Sequence, residues 1–339
     1  VLNKLCTKIY DEKIIRYSEI FGMLQDDALE MFVRFNDGGK PLKKSDITMA
    51  IFNVYWPMAK SEFGSLQASV CKDFGTDFIV RTALMLYGDV SKSCIDRTVA
   101  NNLRDNWDYF TNCLIELKSL LSDFKLTLSD FSKRWNVLLP IIYVINRNPD
   151  YRNSLDGIRC YLYRAMFFTY FQNGTTGKLS KLRNAINEYD FSITEELLEQ
   201  IPELRLNDQK IEDILNTEKG NLSNIVLNVL YADVKNPDKS YEQDHVHPRT
   251  SFDTGAPIGV LPQDWRDWHK NRDKLPNLQL LDRYNNRFKS DTPLIDWYNT
   301  LRSDDERNHF KLNTFIPTDC SLELKDFGSF YTKRKEIFR

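Results

Sequence analysis

The chain is expected to fold mainly as an α-helical bundle, with a small α+β unit of two short strands and a helix (ββα) near its C-terminus. From about residue 60 to 235 apolar side chains recur at helical spacing: Ile79, Ala83 and Leu86, then Leu114, Leu117, Leu120 and Leu121, then Leu162, Ala165, Met166 and Tyr170. That is the period of helices with one buried face. Past residue 240 the period stops, and 242–246 and 278–282 suit short strands. Three of the four histidines, His245, His247 and His269, cluster in this stretch, and none precedes it.

Taken in order, 14–21 reads as a strand and 26–35 as a helix, capped by Asp26 or Asp27 and stopped by Asn36-Asp37-Gly38-Gly39. Ser45 and Asp46 cap a helix at 47–55 that ends before Pro57. Ser129-Asp130, Asn153-Ser154, and Ser192 with Glu195 three residues later, punctuate the long helical region. The polar run Lys235-Asn236-Pro237-Asp238-Lys239-Ser240 reads as a linker. Between the two strands an insertion carries Trp265, Trp268, Arg266, Lys270, Arg272 and Lys274, expected as a short helix. A helix at 289–300 is started by Ser290, Asp291 and Pro293, and 325–339 reads as a last helix with a basic face at Lys333-Arg334-Lys335. The expected division is 1–58, 59–235 and 236–339.

Composition narrows the functional classes. A hydrophobic share of 42% with 13% aromatic suits ordinary globular cores. The formal charge of -2 excludes a globally basic surface, so any nucleic-acid contact must be local. Cys6, Cys71, Cys94, Cys113, Cys160 and Cys320 form no close pairs, which argues against a disulfide framework or a thiolate zinc site and points to the cytoplasm. The longest apolar run, 137–145, contains Pro140 and is far shorter than a bilayer requires, so no membrane is expected. A start at Val inside an amphipathic segment suggests part of a longer protein. Asp37-Gly38-Gly39-Lys40 and Gly174-Thr175-Thr176-Gly177-Lys178 lack the spacing and the following hydroxyl of a phosphate loop.

The histidine-rich stretch carries the chemistry. Cutting a phosphodiester needs an activated water, counter-charge at phosphorus and help for the departing oxygen. His245 is the candidate base, because an imidazole accepts a proton at neutral pH. Asp244 beside it and Asn286 beyond the second strand offer oxygen ligands for a hard divalent ion. Arg249, Arg287 and Lys289 are candidate phosphate contacts. His247 shares a strand face with His245 and is either a further phosphate contact or a packed side chain. A zinc site from His245, His247 and His269 is the competing metal reading.

The ordered pieces Asp244-His245-Val246-His247-Pro248, Asn277-Leu278-Gln279-Leu280-Leu281 and Asn286-Arg287-Phe288-Lys289-Ser290-Asp291 resemble the HNH (His-Me finger, ββα-metal) endonucleases. The resemblance implies that His245 is the general base, that Asp244 and Asn286 hold Mg²⁺ or Mn²⁺, and that Asn277 joins the catalytic set by orienting the finger or the imidazole. Products would carry a 5′ phosphate and a 3′ hydroxyl. Upstream, the run from Phe32 through Arg34, Asn36, Gly38, Gly39 and Leu42 to Ser45-Asp46 is similar to the late part of the ParB-like module of GmrSD-type restriction proteins. There too a helical region and an HNH module follow. The specific motifs lie at roughly 26–50 and 241–298. The acidic-glycine-glutamine-glutamine-arginine nucleotide motif of complete members is not in this chain. The resemblance thus implies a metal-dependent DNA endonuclease of bacterial anti-phage defence, acting on modified phage DNA and separated from its upstream nucleotide-binding domain; since one finger cuts one strand, a double-strand break needs a homodimer or two sequential nicks. The competing expectation is a DNA-binding or regulatory piece whose finger is silent without that domain.

Overall fold

The computed structural model describes residues 44–70, 72, 74–90, 95–131, 134–236 and 238–339, with isolated positions 21, 22, 27, 28, 31 and 34 before them. The expected strand at 14–21, Phe21 excepted, the turn Asn36-Asp37-Gly38-Gly39, the side chains of Ser45 and Asp46, Cys6, Cys71 and Cys94 lie outside the described residues. Within the expected helix at 26–35, the described positions Asp27, Ala28, Met31 and Arg34 are helical.

Among the described residues from Lys44 onward, eleven helices build the first part: α1 (Lys44–Tyr55), α2 (Ala59–Ser69), α3 (Thr76–Tyr87), α4 (Arg97–Asp105), α5 (Trp107–Asp123), α6 (Leu139–Arg147), α7 (Leu155–Phe167), α8 (Thr175–Glu188), α9 (Glu195–Gln200), α10 (Asp208–Leu215) and α11 (Asn221–Leu230). The stripe expected of α5, Leu114, Leu117, Leu120 and Leu121, is buried, and Phe110 and Cys113 join it. The run at 137–145 becomes the heart of the bundle. A 3-10 turn, Trp135–Leu138, leads into α6, which is buried from Leu139 to Asn146. Pro140 sits in the first turn of α6, where its missing N–H costs no helical hydrogen bond. Each fully buried Leu or Ile there contributes about 1.5–3 kcal/mol of hydrophobic stabilisation.

One expected cap is corrected. Helix α9 is capped by Thr194, whose side chain accepts from the Leu197 N–H at 3.2 Å, and not by Ser192. Ser192 accepts instead from the Asn148 amide at 3.1 Å, bracing the loop from the side.

The second part opens with β1 (Tyr241–His245), passes through an insertion containing α12 (Pro262–Asn271), and returns as β2 (Leu278–Asp282). The strands are antiparallel, with Asp244 opposite Gln279 and His245 opposite Leu278. Helices α13 (Arg283–Lys289), α14 (Leu294–Asn299), α15 (Asp304–Asn313) and α16 (Phe327–Phe338) follow.

The expected helix at 289–300 is corrected to two. Helix α13 starts directly after β2, because the Asp282 side chain accepts from the Asn285 N–H at 3.2 Å. It stops at Ser290, whose φ of 45° lies in the left-handed region. The start signal at Pro293 belongs to α14. The insertion is packed, with Trp265 and Trp268 set against the cluster of Val246, Phe252, Phe327 and Phe330.

Apolar contacts cross the boundary expected at 235. Leu215, Val226, Leu227 and Tyr231 from α10, α11 and the residue after it share one core with Leu275, Leu278 and Leu280. The basic face expected of α16 is also corrected. Arg334 is fully buried, donating to the carbonyls of Pro276 at 2.6 Å and Thr314 at 3.0 Å and to the Tyr231 hydroxyl at 3.3 Å. Its neighbours Lys333 and Lys335 pair with Asp319 and Glu212.

Candidate functional site

Strand alternation sends consecutive side chains of β1 to opposite faces, and the two faces have different chemistry. One face, towards α13, carries Glu242 and Asp244. The Asp244 Oδ2 accepts from the Gln279 amide at 2.8 Å and from the Lys289 ammonium at 2.9 Å, and that ammonium also donates to the His245 carbonyl at 2.7 Å. Lys289 has no exposed surface. Its expected role as a phosphate contact is therefore corrected: it is the internal counter-charge of Asp244 and a tie between the end of α13 and the end of β1.

Asn286 stands on α13 as expected and turns its amide N–H to Glu242 Oε2 at 2.8 Å, while Arg283 approaches Glu242 Oε1 at 3.4 Å. The acidic face of β1 and Asn286 thus come together through Glu242. Among the described residues, neither Asp244 Oδ1 nor Asn286 Oδ1 is engaged in a hydrogen bond.

The other face ends in His245, whose Nε2 lies 2.8 Å from Asp273 Oδ1. Burial, and then the nearby Lys219 charge, holds the ring's pKa below the ordinary imidazole value, with Asp273 and Asp244 pulling the other way. The ring is therefore neutral at physiological pH and has a lone pair to offer. Arg249 is largely exposed, its Nε 3.9 Å from Asp273 Oδ2, and Arg287 is exposed on α13. Both remain available to a ligand.

Asn277 is fully buried and does not touch the imidazole. Its Oδ1 accepts from the His247 N–H at 2.9 Å, and its amide donates to the carbonyls of His247 at 3.0 Å and Arg272 at 2.7 Å. It pins the chain just after His245 to the end of the insertion and makes no hydrogen bond to the ring.

Of the two expectations for His247, the packed side chain is the one found, and the phosphate contact is not. It is 2% exposed, packs edge-on against Phe330 at 4.6 Å and Phe327 at 5.4 Å, and burial with the charges of Lys289 and Arg334 pulls its pKa to about 3. His269 packs against Trp265 and Phe252 with Nδ1 3.1 Å from Arg272. The three histidines expected to share zinc therefore point to three different places, and the described residues hold no group of three or more His, Cys, Asp or Glu side chains able to bind a metal.

Sequence reasoning missed Asp273, Lys219 and Gln279. The register would have supplied Gln279, since it lies opposite Asp244 on β2. The other two come from segments with no motif of their own. The chain matches no protein-family model and no curated protein. Among the described residues no helix is long and apolar enough to cross a membrane.

Proposed function

We propose that this chain is a metal-dependent DNA endonuclease of the HNH type, the cutting part of a modification-dependent restriction system of the GmrSD kind. The observation that carries the reading is local. An antiparallel strand pair ends in His245 and runs without a break into α13, whose Asn286 faces the acidic side of β1.

In this reading His245, neutral in the resting protein, takes a proton from the attacking water. The water oxygen bonds to phosphorus as the bond to the 3′ oxygen breaks, and that oxygen leaves with the electron pair and collects a proton from solvent. Asp244 and Asn286 each have one unengaged oxygen, and hard oxygen donors suit Mg²⁺ or Mn²⁺. Bound there, the cation would supply counter-charge to the phosphate and the leaving oxygen. Arg249 and Arg287 hold the flanking phosphates, and Lys289 keeps Asp244 in place.

Nicking of supercoiled plasmid with Mg²⁺ or Mn²⁺ tests the reading. His245→Ala should slow it by roughly 10²- to 10⁴-fold, the usual contribution of a general base. Nicking by His245→Ala at the wild-type rate would remove the assignment. A second reading, a DNA-binding piece with a silent site, is favoured by the Lys289 ammonium that already neutralises Asp244. Gel-shift binding without cleavage under any divalent ion would support it.

A further inference from the structure

We propose that Asp273 is the positioning residue of His245: it fixes the ring in the tautomer with the proton on Nε2 and leaves Nδ1 as the proton acceptor. The catalytic consequence rests on the nuclease reading, whereas the tautomer does not. A neutral imidazole carries one N–H, and a carboxylate only accepts, so the 2.8 Å contact from Asp273 Oδ1 assigns that proton to Nε2. The second oxygen of Asp273 lies 3.5 Å from Arg272 Nε and 3.9 Å from Arg249 Nε, which holds the carboxylate from its far side. A carboxylate placed this way also stabilises the imidazolium that forms when the ring takes a proton.

Asp273 is held by the helical part of the chain. Its carbonyl accepts from the Lys219 N–H at 2.8 Å, and the Leu275 N–H donates to the Thr217 carbonyl at 2.9 Å, with Glu218 and Lys274 paired between them as an antiparallel bridge. The turn that provides this brace is tied to β1 as well. Ser223, fully buried, accepts from the Gly220 N–H at 2.9 Å and from the Gln243 amide at 2.7 Å. A closed circuit thus runs from His245 through Asp273, the turn before α11 and Ser223 to Gln243, two residues before His245 on the same face of β1. A surface ion pair has no need of such a frame. A carboxylate that must keep one ring in one orientation does.

The test uses the full chain labelled with ¹⁵N in its imidazole rings, of which there are four. His245→Asn identifies the His245 resonances. At mildly alkaline pH the wild type should show the Nε2–H tautomer, and Asp273→Ala a mixture, with the rest of the spectrum unchanged. In plasmid nicking, Asp273→Ala and Asp273→Asn should lower kcat by roughly 10²- to 10⁴-fold with KM unchanged, and Asp273→Glu should recover part of the loss. A wild-type ring protonated on Nδ1, or an Asp273→Ala protein with the wild-type tautomer and kcat, overturns the proposal. If His245→Ala nicks normally, the nuclease reading fails while the tautomer result stands by itself.

Discussion

The helical part and the strand-bearing part of this molecule are held together in different ways. Between α1 and α9 one continuous apolar core does the holding, and the buried polar side chains within it, Thr48, Thr82, Asp130, Asn146 and Arg164, are dispersed. From Ser223 onward the cores are smaller, and Asn277, Gln279, Lys289, Thr314, Arg334 and both His245 and His247 are buried among them. These polar groups converge. Arg334, Asn277 and Lys289 all bond backbone within or beside the short segments that carry His245 and Asp273. An apolar core fixes volume and leaves directions loose, whereas hydrogen bonds to named carbonyls fix directions. The molecule uses polar burial where a few side chains must be aimed.

The difference is open to direct attack, and the largest expected effect is at Arg334. Arg334→Met keeps the unbranched stem of the side chain but removes the guanidinium, and so leaves the Pro276 and Thr314 carbonyls and the Tyr231 hydroxyl without their donor. Buried groups left unpaired cost about 1–3 kcal/mol each, so a loss on the order of 4 kcal/mol in urea unfolding is expected. An apolar replacement that stabilised the protein would show that this guanidinium is not needed to hold the Pro276 loop, and the contrast between the two parts would fall.

Leu162→Ala, in the apolar core, comes next, at about 3 kcal/mol. It sharpens the contrast through what it should leave alone: below the unfolding transition the His245 tautomer and, on the proposed nuclease reading, the kcat of nicking are expected to stay as in the wild type. Asn277→Ala leaves the His247 N–H and the carbonyls of His247 and Arg272 without their partner and should also cost about 3 kcal/mol, the low end for three such groups. Yet it should disturb the His245 signals more than Leu162→Ala does. Histidine chemical shifts in the two variants decide between them.

This division also explains what the sequence could reveal. Periodicity read the stripes of α5 and α7 because apolar burial leaves a regular trace, and β2 has the expected bounds. The start of α13 is hidden in the sequence because its cap, Asp282, is also the last residue of β2, while the stronger signal at Ser290 to Pro293 serves α14. Lys289 and Arg334 are of types that usually lie at the surface, and for His247 the sequence leaves a phosphate contact and a packed side chain both open. Only neighbours remote in sequence, such as Phe330 for His247 and Pro276 for Arg334, bury them. Asp273 lies 28 residues from His245 and left no spacing to read.

The smallest expected effect tests whether a buried polar ring in this part carries a cost of its own. His247 is held between Phe327 and Phe330 with Nε2 buried and partnerless, and its pKa in the folded protein is about 3. An unfolded histidine takes a proton near pH ~6.5. As pH falls below that value the unfolded chain binds a proton that the folded one refuses, so stability is full above it and declines below it until the folded value is reached. The slope is about 1.4 kcal/mol per pH unit for a single group. His247→Phe removes this group and, at Nε2, gives up no hydrogen bond, since none is made there. Between about pH 7.5 and 5.5 the wild type should therefore lose about 1.4 kcal/mol more than His247→Phe in paired urea titrations. Parallel curves for the two proteins would mean that the ring is protonated inside the fold, and that the core around Phe330 tolerates a charge.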